Sequence, residues 1–231
     1  MGRAVAAAAP SAIAAEISLS LDRGDSLSGS LGNCDVVIDF SHPDAIEPVC
    51  TACVAAHMPL VIGTTGHSAA QLDVINTAAR TIPIILAANF SVGVNTLFWL
   101  TRKAAELLGA DFDLEIVETH HRLKKDAPSG TAKRLAEVLC EVRGLDYQKD
   151  VVHGREGETG ERPRKQIGLH SIRAGDVIGE HTVIFAGSGE RLELTHKASS
   201  RDTFALGALR AARWLLEKPA GLYSMEDVLG L

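Results

Sequence analysis

The residues best suited to chemistry lie between Glu118 and Thr131, in the segment Glu-Thr-His-His-Arg-Leu-Lys-Lys-Asp-Ala-Pro-Ser-Gly-Thr. The imidazoles of His120 and His121 can give or take a proton near neutral pH. The ammonium of Lys124 can supply a proton or stabilise negative charge that develops during a reaction. The segment therefore combines groups for proton transfer with a positive charge that favours a small anion.

The same segment contains the start of a helix. Pro128 keeps the preceding residue out of the helical region, and apolar residues recur at helical spacing from Leu135 to Val142, which predicts a helix from about Ser129 to about Gly144. The first amides of a helix have no partner inside it, and Gly130 has no side chain to keep a ligand away from them. A carboxylate or phosphate could therefore bind there, with the Thr131 hydroxyl as a further donor.

A simpler interpretation of this segment is also open. Ser129 would then be an ordinary N-cap, and the cations would belong to a solvated loop.

Composition excludes several classes of protein. The 231 residues carry a formal net charge of −6, which argues against nucleic acid as the main partner because phosphate binding normally needs a basic face. No apolar run reaches membrane-spanning length, and residues 1–15 are too weakly apolar for a signal peptide, so we expect a cytoplasmic protein without a membrane partner. Cys50 and Cys53 form a C-x-x-C, but no second pair accompanies it, so we expect buried free thiols and no metal site.

The first half of the chain alternates strands and helices, which predicts a parallel sheet with right-handed crossovers. The strands are predicted over Asp35–Phe40, Pro59–Gly63 and Pro83–Ala88, and the helices over Pro43–His57 and Ser68–Arg80. Ligands of such sheets bind beyond the carboxyl ends of the strands, where Gly63-Thr64-Thr65 and Ala87 to Phe90 lie. Taken alone, Thr-Thr-Gly is equally compatible with a simple turn.

A second module follows. We predict a helix over Asn95–Leu108, a strand leading into His120, and a mobile polar loop over residues 153–166. Three consecutive antiparallel strands are predicted over Ile167–Arg173, Val177–Ala186 and Arg191–His196. A helix over Ala205–Leu215 and the tail from Gly221 should return to the first module.

The segment from Glu118 to Thr131 resembles the active-site segment of bacterial-type dihydrodipicolinate reductases. Further matching segments are Val61–Gly66, Ala87–Asn95, Gly179–His181 and Thr195–Arg201, so the resemblance extends from about Asp35 to the C-terminus. It implies NADH- or NADPH-dependent reduction of a cyclic imine dicarboxylate in lysine and diaminopimelate biosynthesis, by a homo-oligomer that is a homotetramer.

The resemblance also implies the roles of individual residues. His120 is implied as proton donor or acceptor and Lys124 as proton donor, with substrate contacts from His121, Gly130 and Thr131. His121 could instead order the loop through a backbone hydrogen bond. The implied cofactor contacts are Gly63, Thr64, Thr65, Ala87, Ala88, Asn89 and Phe90.

The N-terminus departs from the family pattern of a strand followed by a Gly-x-x-Gly-x-x-Gly turn. Met1-Gly2-Arg3 resembles only the end of that turn, residues 4–15 read as the following helix interrupted at Pro10, and residues 16–21 as the second strand. Asp22 and Arg23 would then contact the adenosine ribose or its 2′-phosphate, although a plain charged turn fits them as well.

The resulting fold class is α/β. A Rossmann-like dinucleotide-binding domain lacking its first strand is predicted over residues 1–92 and 201–231. An α+β domain with a mainly antiparallel sheet, for substrate binding and oligomerisation, is predicted over residues 93–200. Two alternatives remain: a non-catalytic dicarboxylate-binding relative, and another nicotinamide oxidoreductase of amino-acid metabolism.

Overall fold

The structure is a computed structural model that describes residues 1–13, 15–22, 24–25, 27 and 31–231. The chain divides into two compact units. The first consists of Met1–Val92 and Arg201–Leu231, and the second of Gly93–Ser200. No helix in the described ranges is long and apolar enough to cross a bilayer.

The helices and strands are numbered in chain order. Up to residue 108 they are α1 (Gly2–Ile13), β1 (Val37–Asp39), α2 (Ile46–Ala55), β2 (Leu60–Ile62), α3 (Ala69–Ala78), β3 (Pro83–Leu86) and α4 (Val92–Leu108). From there they are β4 (Asp113–His120), α5 (Gly130–Arg143), α6 (Tyr147–Asp150), β5 (Val151–His153), β6 (Ile167–Arg173), β7 (Gly179–Ala186), β8 (Arg191–Ala198), α7 (Asp202–Leu215), β9 (Gly221–Tyr223) and α8 (Met225–Leu229). Short 3-10 helices cover Leu31–Asn33, Pro43–Ala45 and Gly109–Asp111.

The first unit contains a four-stranded sheet in the order β1-β2-β3-β9, with every pair parallel. All three residues of β2 are fully buried, as expected for a strand of a parallel sheet whose two faces are both covered. The predicted parallel sheet is therefore confirmed. The predicted return of the tail is also confirmed, because β9 pairs with β3.

Helix α7 packs closely against the chain that follows β3. A Cβ atom on Gly207 would lie 1.7 Å from the backbone oxygen of Phe90, so only glycine fits this contact. Phe90 is 2% exposed, and its ring meets that of Phe40 edge to face at 5.7 Å. The contact therefore fixes the segment beyond the carboxyl end of β3.

Two expectations for the N-terminal region are wrong. Helix α1 continues through Pro10, and the predicted strand over residues 16–21 does not form. The alternation of Ile17, Leu19 and Leu21 suggested a half-buried strand, but these side chains are 37–39% exposed. A strand pattern produces a strand only where the segment pairs with a neighbouring strand and packs its apolar face on a core. Residues 16–21 do not pair with β1, which remains the edge strand of this sheet.

The thiols in α2 match the prediction of buried free cysteines. Cys50 and Cys53 are both free and buried. Burial is the largest cause that raises the pKa of Cys50 to about 11 and that of Cys53 to about 12, so both stay protonated at neutral pH.

The second unit contains a five-stranded sheet in the order β5-β6-β4-β7-β8. The prediction of three consecutive antiparallel strands from Ile167 to His196 needs correction, because β6 pairs in parallel with β5 and β4, whereas β4-β7 and β7-β8 are antiparallel. Strands β6 and β7 are joined by a turn but do not pair. Strand β4 lies between them, so the sheet is mixed and β4 is its centre.

Strand β4 presents alternate residues to opposite faces. On one face Glu115 accepts hydrogen bonds from Arg155 at 2.8 and 3.1 Å and from Arg162 at 3.0 Å. Arg162 also donates to Leu114 O at 3.0 Å. These contacts anchor the loop over residues 153–166, which the sequence predicted to be mobile.

We predict that Gly207→Ala lowers the free energy of unfolding by roughly 1 to 3 kcal/mol, the usual cost of overpacking a well-packed site. Gly32→Ala is the control, because a Cβ atom there meets nothing within 4 Å. Urea unfolding of both variants measures the effect. Equal stability of the two would contradict the close contact between α7 and Phe90.

Candidate active site

The centre of the candidate site is the carboxylate of Glu118, which is 0% exposed. It accepts hydrogen bonds from Arg173 Nη1 and Nη2, both at 2.9 Å, and from the Ser129 amide at 3.1 Å. Its other close contact is His120 Nδ1, at 2.5 Å. Burial alone raises the pKa of Glu118, but the hydrogen bonds from Arg173, His120, the Ser171 side chain and the Ser129 amide outweigh it and lower the pKa to about 2. Glu118 is therefore an anion at neutral pH.

His120 ends β4 and is 8% exposed. Burial, the largest cause, lowers its pKa; Glu118 opposes this shift, whereas the charges of Lys124 and Arg173 add to it. A Cβ atom on Gly179 would lie 3.0 Å from His120 Nε2, so the missing side chain leaves room beside that nitrogen. His120 is thus a neutral imidazole with one nitrogen held by a carboxylate.

His181, on β7, lies beside His120 with the ring centroids 5.2 Å apart. It is 4% exposed, and its Nε2 lies 3.1 Å from the hydroxyl of Ser129. Burial is the first cause that lowers the pKa of His181 to about 3, and the electrostatic effect of the neighbouring His120 imidazole is the next. We call Glu118, His120, Ser129, Arg173 and His181 the Glu118 cluster.

The loop that carries Lys124 is tied to this cluster. The Lys124 ammonium lies 3.0 Å from a carboxylate oxygen of Asp126 and holds the pKa of that carboxyl below its usual range. Arg173 Nη2 donates to Asp126 O at 2.6 Å. The charge of Lys124 also lowers the pKa values of His120 and His181, so its ammonium acts on the same group of side chains.

Helix α5 begins beside the same carboxylate. The Ser129 hydroxyl accepts a hydrogen bond from the Ala132 amide at 3.2 Å, so Ser129 is an N-cap, as the simpler interpretation held, and it also belongs to the cluster. A Cβ atom on Gly130 would meet nothing within 4 Å, so the space in front of this glycine is open. Thr131 is half-buried in the first turn, and His121 is half-buried directly after β4.

The predicted cofactor contacts lie in the first unit, at the carboxyl ends of its parallel strands. Thr64 donates from its hydroxyl to Asp39 Oδ2 at 2.7 Å and accepts from the Ser41 amide at 2.9 Å. Phe40 approaches Gly63 so closely that a Cβ atom would lie 2.0 Å from its ring. Met1 joins residues 40–43 and 63–65 around a cavity of about 470 Å³. This open cleft at the carboxyl ends of the strands combines apolar side chains, such as Phe40 and Pro43, with the hydroxyls of Ser41, Thr64 and Thr65, and it fits part of a nicotinamide cofactor.

The remaining predicted cofactor contacts are less closely grouped. Residues 87–90 follow β3 directly, and Asn89 accepts a hydrogen bond from the Ser91 amide at 2.8 Å. The Asp22 amide donates to Asp25 Oδ2 at 2.7 Å in an exposed turn, without the strand expected before it. Arg23 lies outside the described residues.

Comparison with known proteins identifies the family. Residues 1–90 match the family model "Dihydrodipicolinate reductase, N-terminus", and residues 93–229 match "Dihydrodipicolinate reductase, C-terminus". The chain belongs to the dihydrodipicolinate reductase family. It is therefore an oxidoreductase of the α/β class that the sequence predicted, with a Rossmann-like first unit.

Individual members of the family are similar to this chain over most of their length. The 4-hydroxy-tetrahydrodipicolinate reductase of Akkermansia muciniphila is 59% identical over 210 residues, which are 91% of this chain and 85% of the relative. The enzyme of the same name from Pseudoalteromonas atlantica is 53% identical over 207 residues, 90% of this chain and 78% of the relative. The dipicolinate-bound dihydrodipicolinate reductase of Paenisporosarcina sp. TG-14 matches with a TM-score of 0.68 at 30% identity, over 84% of this chain and 72% of that one.

Sequence reasoning did not place Glu118, Arg173 and His181 in the candidate site of this member of the dihydrodipicolinate reductase family. The strand alternation did contain a signal for Glu118, because Leu114, Ile116, Glu118 and His120 are successive positions on one face of β4 and all are buried. A carboxylate on an apolar face requires a partner. Arg173 gave no comparable signal, and His181 was marked only by the resemblance of Gly179–His181 to the family, because strand pairing brings both side chains there.

We predict that His181 makes the protein less stable as the pH falls from about 6.5 to 5. Its pKa is depressed in the folded state, so the unfolded chain takes up a proton first, at a cost of up to about 1.4 kcal/mol per pH unit. His120 and His196, whose pKa values are also lowered, act in the same direction.

Urea unfolding at several pH values measures this dependence. His181→Asn should make it shallower, whereas His153→Gln, at an exposed position, should leave it unchanged. An unaltered slope in His181→Asn would show that this imidazole is not kept neutral by burial.

Proposed function

We propose that this chain catalyses the NADH- or NADPH-dependent reduction of a cyclic imine dicarboxylate, the dihydrodipicolinate or 4-hydroxy-tetrahydrodipicolinate of its named relatives, in lysine and diaminopimelate biosynthesis. One observation carries the proposal. Glu118 and Arg173 bind His120, the start of α5 and the loop of Lys124 together. This grouping fits a reaction in which an anionic ring must be held while a proton moves.

In this proposal the substrate binds at the start of α5 and to neighbouring residues. The amides of the first helical turn and its positive end favour a carboxylate, and the open space before Gly130 admits one. Thr131 and His121 are the further contacts in the proposal. A second carboxylate of the substrate would find positive charge on the Lys124 loop.

In this proposal His120 and Lys124 carry out the proton transfer. Addition of a hydride to a conjugated imine leaves negative charge on the ring, which a proton must neutralise. In this proposal the Lys124 ammonium donates that proton to the ring. Neutral His120 then takes up a proton from solvent at Nε2 and passes it to the lysine amine, which restores the ammonium. The dinucleotide, held in the first unit by residues 63–65, 87–90 and 22–23, supplies the hydride when bound.

The assembly and location of the protein are part of the same proposal. By family resemblance we propose a homotetramer in the cytoplasm. The second unit, residues 93–200, would bind the substrate and provide the subunit contacts.

The direct test is an assay of the purified chain with the cyclic imine dicarboxylate, followed by the loss of absorbance of NADH or NADPH. We expect saturable turnover with at least one dinucleotide. Saturable dinucleotide binding without turnover, or turnover only of a semialdehyde or 2-oxo acid, would point to another oxidoreductase. No dinucleotide binding would point to a non-catalytic relative.

We predict that His120→Gln and Lys124→Ala each lower kcat by roughly two or more orders of magnitude, because each removes a group that moves a proton. Dinucleotide affinity, measured by fluorescence titration, should not change. Lys125→Ala is the matched control, since it removes the adjacent, exposed ammonium and should keep kcat. Full turnover in both variants would remove the assignment.

A further inference from the structure

The Glu118 carboxylate has no room to act on substrate directly. It is fully buried, and both of its oxygens are taken by donors from three elements of the second unit: β4, β6 and the N-cap of α5. A buried charge of this kind is costly unless it is fully hydrogen-bonded. The structure satisfies it with the very groups that surround the proposed proton-transfer site.

The chemistry of the carboxylate decides which nitrogen of His120 carries the proton. An ionised carboxylate only accepts hydrogen bonds. Because Glu118 faces His120 Nδ1, that nitrogen must carry the hydrogen, and Nε2 must carry the lone pair. Nε2 is the nitrogen that lies beside Gly179, where no side chain blocks it.

The partner of Glu118 organises the loop. Arg173 binds the carboxylate with both terminal nitrogens and reaches Asp126 O with one of them. Asp126 in turn pairs with the Lys124 ammonium. One carboxylate thus holds the imidazole directly and, through a guanidinium, the loop that carries the amine.

We propose that Glu118 is a positioning residue for the reduction proposed above: it fixes His120 in the tautomer with a proton-accepting Nε2 and holds the Lys124 loop and the start of α5 around it. The role rests on the proposed function, but the tautomer can be measured without turnover.

The charged and titratable groups that face His120 are Glu118 on its own strand, Lys124 on the loop, Arg173 on β6 and His181 on β7. Glu118 is the only anion in this set, so it stabilises the imidazolium that forms when Nε2 takes up a proton. Removal of its charge therefore lowers the pH at which His120 becomes protonated.

The test substitutes Glu118→Gln, which keeps the shape and removes the charge. An amide at this position can donate to Nδ1, which moves the proton of His120 to Nε2. We expect kcat to fall by about 10²- to 10⁴-fold, the range for lost acid–base help. The limb of the pH profile that His120 sets should move to lower pH, with dinucleotide affinity unchanged.

Glu115→Gln is the matched control. It makes the same change three residues earlier on β4, at a carboxylate that is also bound by arginines but faces the other side of the strand. It should reproduce any general loss of stability while retaining kcat and the pH profile. Equal kcat and equal profiles in Glu118→Gln and the unmodified protein would overturn the role.

Two further measurements keep the role testable if Glu118→Gln does not fold, and they distinguish its failure from a failure of the proposed function. The double variant Glu118→Gln/Arg173→Gln removes the unpaired guanidinium and should show at least the same loss of kcat. ¹⁵N chemical shifts of His120 in the unmodified protein at pH 7 decide the tautomer independently. A protonated Nδ1 with a bare Nε2 supports the proposal, and the reverse overturns it. Absence of turnover in the unmodified protein would instead reject the proposed reaction.

Discussion

The site depends on a single buried carboxylate. Glu118 lies on the central strand of its sheet, within the buried face that Leu114 and Ile116 begin. An ion can remain there because Arg173, His120, the Ser171 hydroxyl and the Ser129 amide donate to it. The requirement to satisfy this charge brings β6 and the start of α5 to the end of β4. The chemistry proposed for His120 therefore follows from the same contacts that allow the strand to be buried.

Much of the fold could be predicted from local sequence patterns. The apolar run of β2, the capping box of Ser68 and Gln71 at α3, and the N-cap and left-handed C-terminal glycine of α5 depend on neighbouring residues, and each is present. The tail after Gly221 also returns to the first sheet as expected. These features were accessible because periodicity and caps are encoded within a few residues.

What the sequence could not reveal depends on long-range pairing. Strand β6 pairs in parallel with β4 across more than fifty residues, although the turn after it suggested a hairpin with β7. The pattern over residues 16–21 lacks the neighbour that would make it a strand. For the same reason Arg173 could not be assigned to the site, and the family resemblance of Gly179–His181 did not show that His181 lies beside His120. His120, Lys124 and the start of α5 were accessible because they are close in sequence.

The most direct test of the whole account is a crystal structure of the chain with dipicolinate and a nicotinamide dinucleotide. The account predicts one carboxylate of the diacid on the amides of Gly130 and Thr131, with His120 Nε2 and Lys124 Nζ within about 3.2 Å of the ring or its other carboxylate. A diacid bound away from the start of α5, or one that His120 and Lys124 do not reach, would contradict it.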